Sequence, residues 1–420
     1  MKQTAPAASA SFHRTPDLFN EVRHLHPNLR FGGEPPDALL SLPEELIRYV
    51  LALLSGDPHP APQVHPDEWT KLITTLKSHW VLPLLYWQAG HVPEKIRPPR
   101  EVMDALRGSF QWSRIRTLHM ERQLQQLTAA FREAGVRMMV LKGPALARMV
   151  YPDPALRPGS DLDILVHPKE MMHSKEILAQ LGYTCDAKKF GTDVEALNNH
   201  EEYTSSEKVL QFRSIELHWK LIRVGILKEC NAEQLFDNAV HVRAEGGSFA
   251  ALHPVDALIH RALNNAFMHD SDMRLIWIYD ILMLVRSLKE PDDWLLLQDR
   301  CVVWRARFAV EIALTLARSW YGLPLPDAYA DFSTWPSPSE EELDAWNRIP
   351  HRRKRLDLMI GAYMPHGANY LERAWMTIRL IVPPRAVVVN LYPVRHPWLF
   401  PLAYIRWWGR WMNEFSGRFP

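Results

Sequence analysis

The sequence predicts an α+β fold, with a mixed-sheet core over residues 136–248 held between two helical regions. Three observations predict it. Apolar residues recur at helical spacing from Pro43 to Gly135 and again after about residue 250. Between those limits the pattern changes to short apolar runs bounded by Gly, Pro and polar turns. Within that interval, Ser160-Asp161-Leu162-Asp163-Ile164-Leu165-Val166 sets two carboxylates two residues apart at the head of an apolar run. In a strand such a pair shares one face, so Asp161 and Asp163 project together while Leu162 and Ile164 face the other way. Two carboxylates ~4 Å apart repel by on the order of 1–4 kcal/mol unless a cation or proton intervenes. A pair built onto a rigid strand is therefore read as a cation ligand.

Taken in order, residues 1–40 are rich in Ala, Ser and Pro without periodicity and read as a disordered tail. Residues 41–135 form the N-terminal helical region. Pro43–Ser55 is an amphipathic helix with Glu44 and Glu45 in its first turn, where the helix dipole favours acids. A Pro/His-rich loop separates it from helices over Asp67–His79 and Val81–Gly90. A long helix from Arg100 places Leu118, Leu124, Leu127 and Phe131 on an apolar stripe and stops at Gly135.

In the core, VRMMVL from Val136 is a buried strand, Ala145–Val150 a short helix and Leu162–Val166 the next strand. Pro168–Leu181 is a helix with Pro at its start and Gly182 at its end. An extended piece over Tyr183–Asp186 precedes two strands, His200–Ser206 and Val209–Trp219, joined by the polar Ser206-Glu207-Lys208 turn. Ile215, Leu217 and Trp219 share one face of the last strand; Ser214, Glu216, His218 and Lys220 share the other. Residues 249–382 form the C-terminal helical domain, with helices over Pro254–Phe267, Arg274–Leu288, Asp292–Tyr321 and Leu343–Tyr363. A basic, aromatic tail occupies 383–420.

The totals bound the function. A chain of 420 residues, 47% hydrophobic, is long enough for two or three domains of roughly 100–200 residues each. With 49 basic against 48 acidic residues, a general nucleic-acid binder is disfavoured. Cys185, Cys230 and Cys301 form neither a zinc spacing nor a disulfide framework, which fits a reducing cytoplasm. The N-terminus lacks the apolar segment of a secretory signal, and no apolar run is long enough to span a bilayer.

An Asp-x-Asp pair joined by Glu216 from a neighbouring strand is an oxygen-rich set suited to hard divalent cations. The order of strand, Gly turn, helix, Ser-Asp-hydrophobic-Asp strand and hydrophobic-Glu-hydrophobic strand resembles the polymerase-beta-like nucleotidyltransferase superfamily. LKGPALARMVYPDPALRPGSDLDILV, with IELHWKL downstream, is similar to a bacterial family of uncharacterised nucleotidyltransferases. The detailed similarity covers about residues 136–225 and extends weakly into LIHRALNNAFMH and LIWIYDILMLV. The resemblance implies a metal-dependent enzyme moving a nucleoside monophosphate from an NTP to an acceptor hydroxyl. It implies two Mg²⁺ ions, with Mn²⁺ as the alternative, on Asp161, Asp163 and Glu216. It places Lys142, Gly143, Ser160 and Arg157 near the nucleotide phosphates, and His218 and His260 behind the ligands. The superfamily's Gly-Gly or Gly-Ser turn is replaced here by Lys142-Gly143-Pro144, so that Lys142 stands in for the serine hydroxyl as a phosphate-binding charge.

Blander roles compete at several positions. Lys142 equally suits a structural ion pair and Arg157 a solvated loop. His200 with Glu201 and Glu202 reads as a solvated turn, and Asp280 as an acid that caps a neighbouring group or pairs with an Arg, a catalytic role being the lesser reading. The tail mixes Arg379, Arg385, Arg395, Arg406 and Arg410 with Trp398, Trp407, Trp408 and Trp411. That composition fits a segment packed over the helices, contact with an anionic membrane surface or, least of the three, stacking on a nucleic-acid strand. The expected location is cytoplasmic, peripheral to the inner membrane face if the tail binds lipid. Two other functions share the fold: a catalytically impaired binding or regulatory protein, and a membrane-surface modification enzyme for a cell-surface polymer or peptide product.

Overall fold

The computed structural model describes residues 39, 41–185, 199–205, 214–222, 230, 232–245, 247–267, 274–343, 382, 385, 388 and 396–415. The expected N-terminal tail, the Ser206-Glu207-Lys208 turn and nearly all of the helix over Leu343–Tyr363 lie outside the described residues.

The N-terminal helices are α1 (Glu44–Ser55), α2 (Pro66–His79), α3 (Leu82–Gly90) and α4 (Arg100–Glu133). Helix α4 ends as its sequence requires. Gly135 takes a left-handed φ of 71°, and the Val136 N–H returns to the Phe131 carbonyl at 2.9 Å. Leu124, Leu127 and Phe131 of α4 are buried, but Leu118 is 59% exposed and does not belong to the apolar stripe.

The core runs β1 (Met138–Val140), α5 (Lys142–Met149), β2 (Asp161–Val166), α6 (Met171–Gln180), β3 (Tyr183–Cys185), β4 (His200–Ser205), β5 (Ser214–His218), α7 (Ala232–Asp237), β6 (Val240–Ala244) and β7 (Gly247–Ala251). All seven strands join one mixed sheet in the order β3-β4-β5-β2-β1-β7-β6. Strands β2 and β5 are parallel, with Asp163 opposite Glu216 and Leu165 opposite His218. Strand β4 runs antiparallel to β5, with His200 opposite His218. The hairpin β6–β7 extends the sheet beyond the expected strands, and β7 lies parallel to β1. Val240, Val242 and Ala244 alternate with polar residues there, and Phe249 and Ala251 continue the same apolar face.

Alternation divides the sheet between two apolar clusters. Met138, Val140, Leu162, Ile164, Ile215 and Leu217 face Leu124, Leu127 and Phe131 of α4 and Ile177 and Leu178 of α6. Met139 and Leu165 face the opposite way, into a larger cluster that unites α1–α3 with α8 (Pro254–Phe267), α9 (Leu275–Ser287), α10 (Pro291–Val303) and α11 (Arg307–Tyr321). Helices α1–α3 and α8–α11 therefore pack on one face of the sheet, and α6 with the C-terminal half of α4 on the other. Helices α10 and α11 replace the single expected helix over Asp292–Tyr321. Arg305 adopts a left-handed φ of 52°, and the Ala306 N–H returns to the Cys301 carbonyl at 2.8 Å. This is a helix-terminating turn made without glycine. The last described helix is α12 (Phe400–Phe415). Among the described residues no helix is long and apolar enough to cross a membrane.

Candidate active site

The parallel pairing of β2 with β5 builds the site. Because Asp163 and Glu216 are register partners, alternation turns Asp161, Asp163, Glu216 and His218 to the same face of the sheet. Ligand oxygens of Asp161, Asp163 and Glu216 lie within 4.8 Å of one another. Asp163 is 2% exposed, whereas Asp161 and Glu216 retain partial access to solvent. Burial, with Asp163 and Glu216 as negative neighbours, pushes the Asp161 carboxyl up to about 6.

Lys142 reaches this cluster from the first position of α5. Its Nζ lies 2.5 Å from Asp163 Oδ1 and 3.2 Å from Glu216 Oε2. Burial alone would lower the ammonium's proton affinity, but the carboxylates outweigh it and hold Lys142 charged above its ordinary range. Lys142 sits in the left-handed backbone region with φ 51°, which a side chain normally avoids. His218 adds a second donor: its Nε2 is 3.1 Å from Asp163 Oδ1 and 3.1 Å from Glu216 Oε2. Burial would raise the Glu216 carboxyl, but the His218 hydrogen bond and Lys142 hold it below the usual carboxylate range. Ser160, on the exposed approach to β2, donates its hydroxyl to Asp161 Oδ1 at 3.1 Å.

Other expected site residues stand differently. Arg157 is not solvated. It is 6% exposed, and its Nε and Nη2 donate to the two carboxylate oxygens of Asp280 at 3.1 and 2.8 Å. Tyr151 donates to the same carboxylate at 2.7 Å, and Arg261 lies 3.8 Å from it. Asp280 is thus paired with an Arg, as expected for an acid amid apolar residues. Gly143 packs against this guanidinium: a Cβ at Gly143 would lie 2.5 Å from Arg157 Nη1. The glycine is needed for the protein's own arginine, whatever approaches from outside. His260, on α8, is 2% exposed and donates Nε2–H to the Leu221 carbonyl at 3.2 Å. Burial, with Lys142 and Arg261 as positive neighbours, keeps its imidazole well below the ordinary histidine range and therefore neutral. A crevice beside Lys142 is lined by His260, Arg261 and Asn264 of α8 together with Leu146 and Met149 of α5.

His200 is the largest departure from the sequence reading. His200, Glu201 and Glu202 lie on the expected strand rather than on a solvated turn, and its alternation splits the three residues. Glu201 goes to the far face, where it pairs with Lys175 at 2.8 Å and accepts from Tyr203. His200 goes to the site face, its ring centroid 4.8 Å from that of His218 and its Nε2 4.0 Å from Glu216 Oε2. Asn199, 3% exposed, joins the two imidazoles. No local spacing marks His200 as a partner of Glu216; only the β4–β5 register brings them together.

The donor chemistry suits a cation. Three carboxylates face one ammonium, and the excess negative charge lies on oxygen atoms that hard divalent ions prefer. Lys142 stands between the carboxylates and the crevice beside α8. Among curated proteins, none matches the chain. Residues 65–322, from the start of α2 to the end of α11, match the family model described as uncharacterised nucleotidyltransferase, and the chain belongs to that family.

Proposed function

We propose that the protein transfers a nucleoside monophosphate from an NTP to the hydroxyl of an acceptor. Family membership supports nucleotidyl transfer in general. The observation that carries the fuller reading is the convergence of Asp161, Asp163 and Glu216 beside Lys142. The carboxylates would hold a pair of divalent cations, Mg²⁺ being the expected ion, which supply activation of the acceptor hydroxyl and charge neutralisation of the departing pyrophosphate. The acceptor oxygen bonds to the α-phosphorus, the bridge to the β-phosphate breaks, and the hydroxyl proton passes to water. Lys142 balances part of the carboxylate charge and supplies positive charge for the triphosphate. His218 fixes the orientation of Asp163 and Glu216, and Ser160 that of Asp161. Arg157 acts from behind, packed on Gly143 and shaping the turn that carries Lys142.

Labelled NTPs test the reaction class. Label at the α-phosphate should enter the acceptor while label at the γ-phosphate leaves as pyrophosphate, and Asp161→Asn should abolish both. Transfer of the γ label instead would make the protein a kinase and overturn the reading.

We also propose that the tail contacts an anionic membrane surface. Leu402, Ile405 and Trp408 of α12 recur at three-residue spacing, and they are 48%, 59% and 41% exposed, with Trp398 at 72% just before the helix. Co-sedimentation with anionic liposomes should require residues after Pro383; equal recovery of full-length and shortened chains would remove the idea. Such contact would make the protein peripheral to the inner membrane face.

A further inference from the structure

Arg261 carries more hydrogen-bond donors than the protein uses. A guanidinium has five N–H groups in a fixed fork. Arg261 Nε donates to Asn265 Oδ1 at 3.1 Å, and Cζ lies over the Trp277 ring, 5.2 Å from its centroid, which holds the plane in place. The nearest carboxylate is already taken. Arg157 and Tyr151 occupy the oxygens of Asp280, and Arg261 Nη1 stays 3.8 Å from Oδ2, beyond hydrogen-bond distance. Among the described residues neither Nη nitrogen of Arg261 has a hydrogen-bond acceptor. One buried carboxylate thus faces two guanidiniums, and the excess positive charge falls on Arg261, which is 5% exposed. Burial brings this guanidinium down to about 10 against the pull of Asp280, and Arg157 adds to the lowering, so it is still charged at neutral pH.

Asn264 repeats the excess one turn further along α8, and residues three apart share a helix face. It is 6% exposed, and among the described residues its side chain makes no hydrogen bond. Both residues line the crevice beside Lys142. Asn265 spends its carbonyl oxygen on Arg261, and its Nδ2 is buried without a partner. Buried polar groups are ordinarily hydrogen-bonded, because leaving one without a partner is costly. Here the surplus consists of N–H donors, and the ammonium of Lys142 stands on the wall of the same crevice. A negatively charged acceptor of hydrogen bonds completes this set, and a cation does not.

We propose that Arg261 and Asn264 form an oxyanion position that takes a phosphate group of a substrate, across Lys142 from the carboxylates. The guanidinium fork matches two phosphate oxygens, and the Asn264 amide supplies a further N–H. Met149, unbranched and half-buried, forms part of the crevice wall and can swing aside for the group. Assigning the phosphate to a substrate rests on the nucleotidyl-transfer reading; the anion position itself rests on the surplus donors. Two sources present the same chemistry there: the terminal phosphate of the NTP, and a phosphate carried by the acceptor.

The test titrates inorganic phosphate into the full-length protein by calorimetry, with chelator present so that no cation bridges phosphate to the carboxylates. Wild type should bind it saturably. Arg261→Gln should weaken binding by about 10-fold or more, and Asn264→Leu by about 3-fold or more. Circular dichroism reports folding. Asn264→Leu keeps the side chain's size and removes an amide that the protein does not pair, so it should melt at or above the wild-type temperature. Should Arg261→Gln fail to fold, Asn264→Leu decides. Displacement of phosphate by saturating NTP identifies the NTP as its source, and simultaneous binding of the two identifies a phosphorylated acceptor. No saturable binding by wild type, or wild-type affinity in either folded variant, overturns the inference and leaves ordered water as what the donors hold. Phosphate binding without nucleotide incorporation keeps the anion position and removes the transferase reading; incorporation without phosphate binding does the reverse.

Discussion

Two clusters of buried charge meet at Gly143, and they are built to opposite plans. In one, Arg157, Arg261 and Tyr151 converge on Asp280, which is 0% exposed. Both carboxylate oxygens accept hydrogen bonds there, and a second arginine stands close by. In the other, three carboxylates surround Lys142, and Asp161 stays partly open to solvent. The first cluster is closed and its carboxylate is fully engaged. The second has negative charge in excess and an open edge. Burial of ions alone therefore does not mark a working site; an excess of carboxylates at a partly solvent-accessible edge sets the second cluster apart.

That contrast breaks first at Asp280. Replacing it with alanine leaves the Arg157 guanidinium buried without its carboxylate, which should cost about 3–5 kcal/mol of unfolding free energy. Divalent cations should restore none of it, and a loss under about 1 kcal/mol in urea titrations would mean that the cluster is not structural. Lys142→Gln probes the opposite plan. With chelator present it should lose about 1.5–3 kcal/mol, the scale of hydrogen bonds to charged groups. Adding a divalent cation should recover more stability in this variant than in wild type, since the cation replaces the missing positive charge. Identical cation responses in the two proteins would contradict the account of Lys142.

Gly143→Ala tests the wall between the clusters. Its Cβ would lie 2.5 Å from Arg157 Nη1, so crowding should cost about 1–3 kcal/mol, read as a lowered melting temperature. The smallest effect concerns His260, whose folded imidazole is held neutral by burial and by the positive neighbours Lys142 and Arg261. A depressed folded pKa gives stability that is complete above the unfolded value near 6.5 and is lost as pH falls below it. His260→Gln should flatten the decline of stability below that pH by up to about 1.4 kcal/mol per pH unit. Parallel curves for wild type and variant would contradict the buried neutral assignment.

The parts of this contrast that the sequence made legible are those written locally. Asp161, Asp163 and Glu216 lie on strands whose alternation shows in the residues themselves, and the helix after Lys142-Gly143-Pro144 follows from turn chemistry. Arg157 was misplaced because its partner, Asp280, comes from α9, far along the chain, and a loop arginine carries no local sign of burial. His200 was missed because its proximity to Glu216 depends on the antiparallel register of β4 with β5. The β6–β7 hairpin had a readable alternation in Val240, Val242 and Ala244, but its strands are short and end in small residues. The break between α10 and α11 lacks Gly and Pro altogether, since Arg305 takes the left-handed position. Leu118 kept helical spacing roughly but fell on the solvent side of α4.

A cation-dependent nucleotidyl-transfer site at the open cluster, as we propose, must release pyrophosphate. The most direct measurement is pyrophosphate release from NTPs, with Mg²⁺ or Mn²⁺, by wild type and Asp163→Asn. Losing several kcal/mol of transition-state charge stabilisation corresponds to a fall on the order of 100-fold or more. The account predicts release by wild type that chelator abolishes and that Asp163→Asn reduces by at least that factor while the variant still folds. Equal rates in the two proteins, or release that persists in chelator, would contradict it.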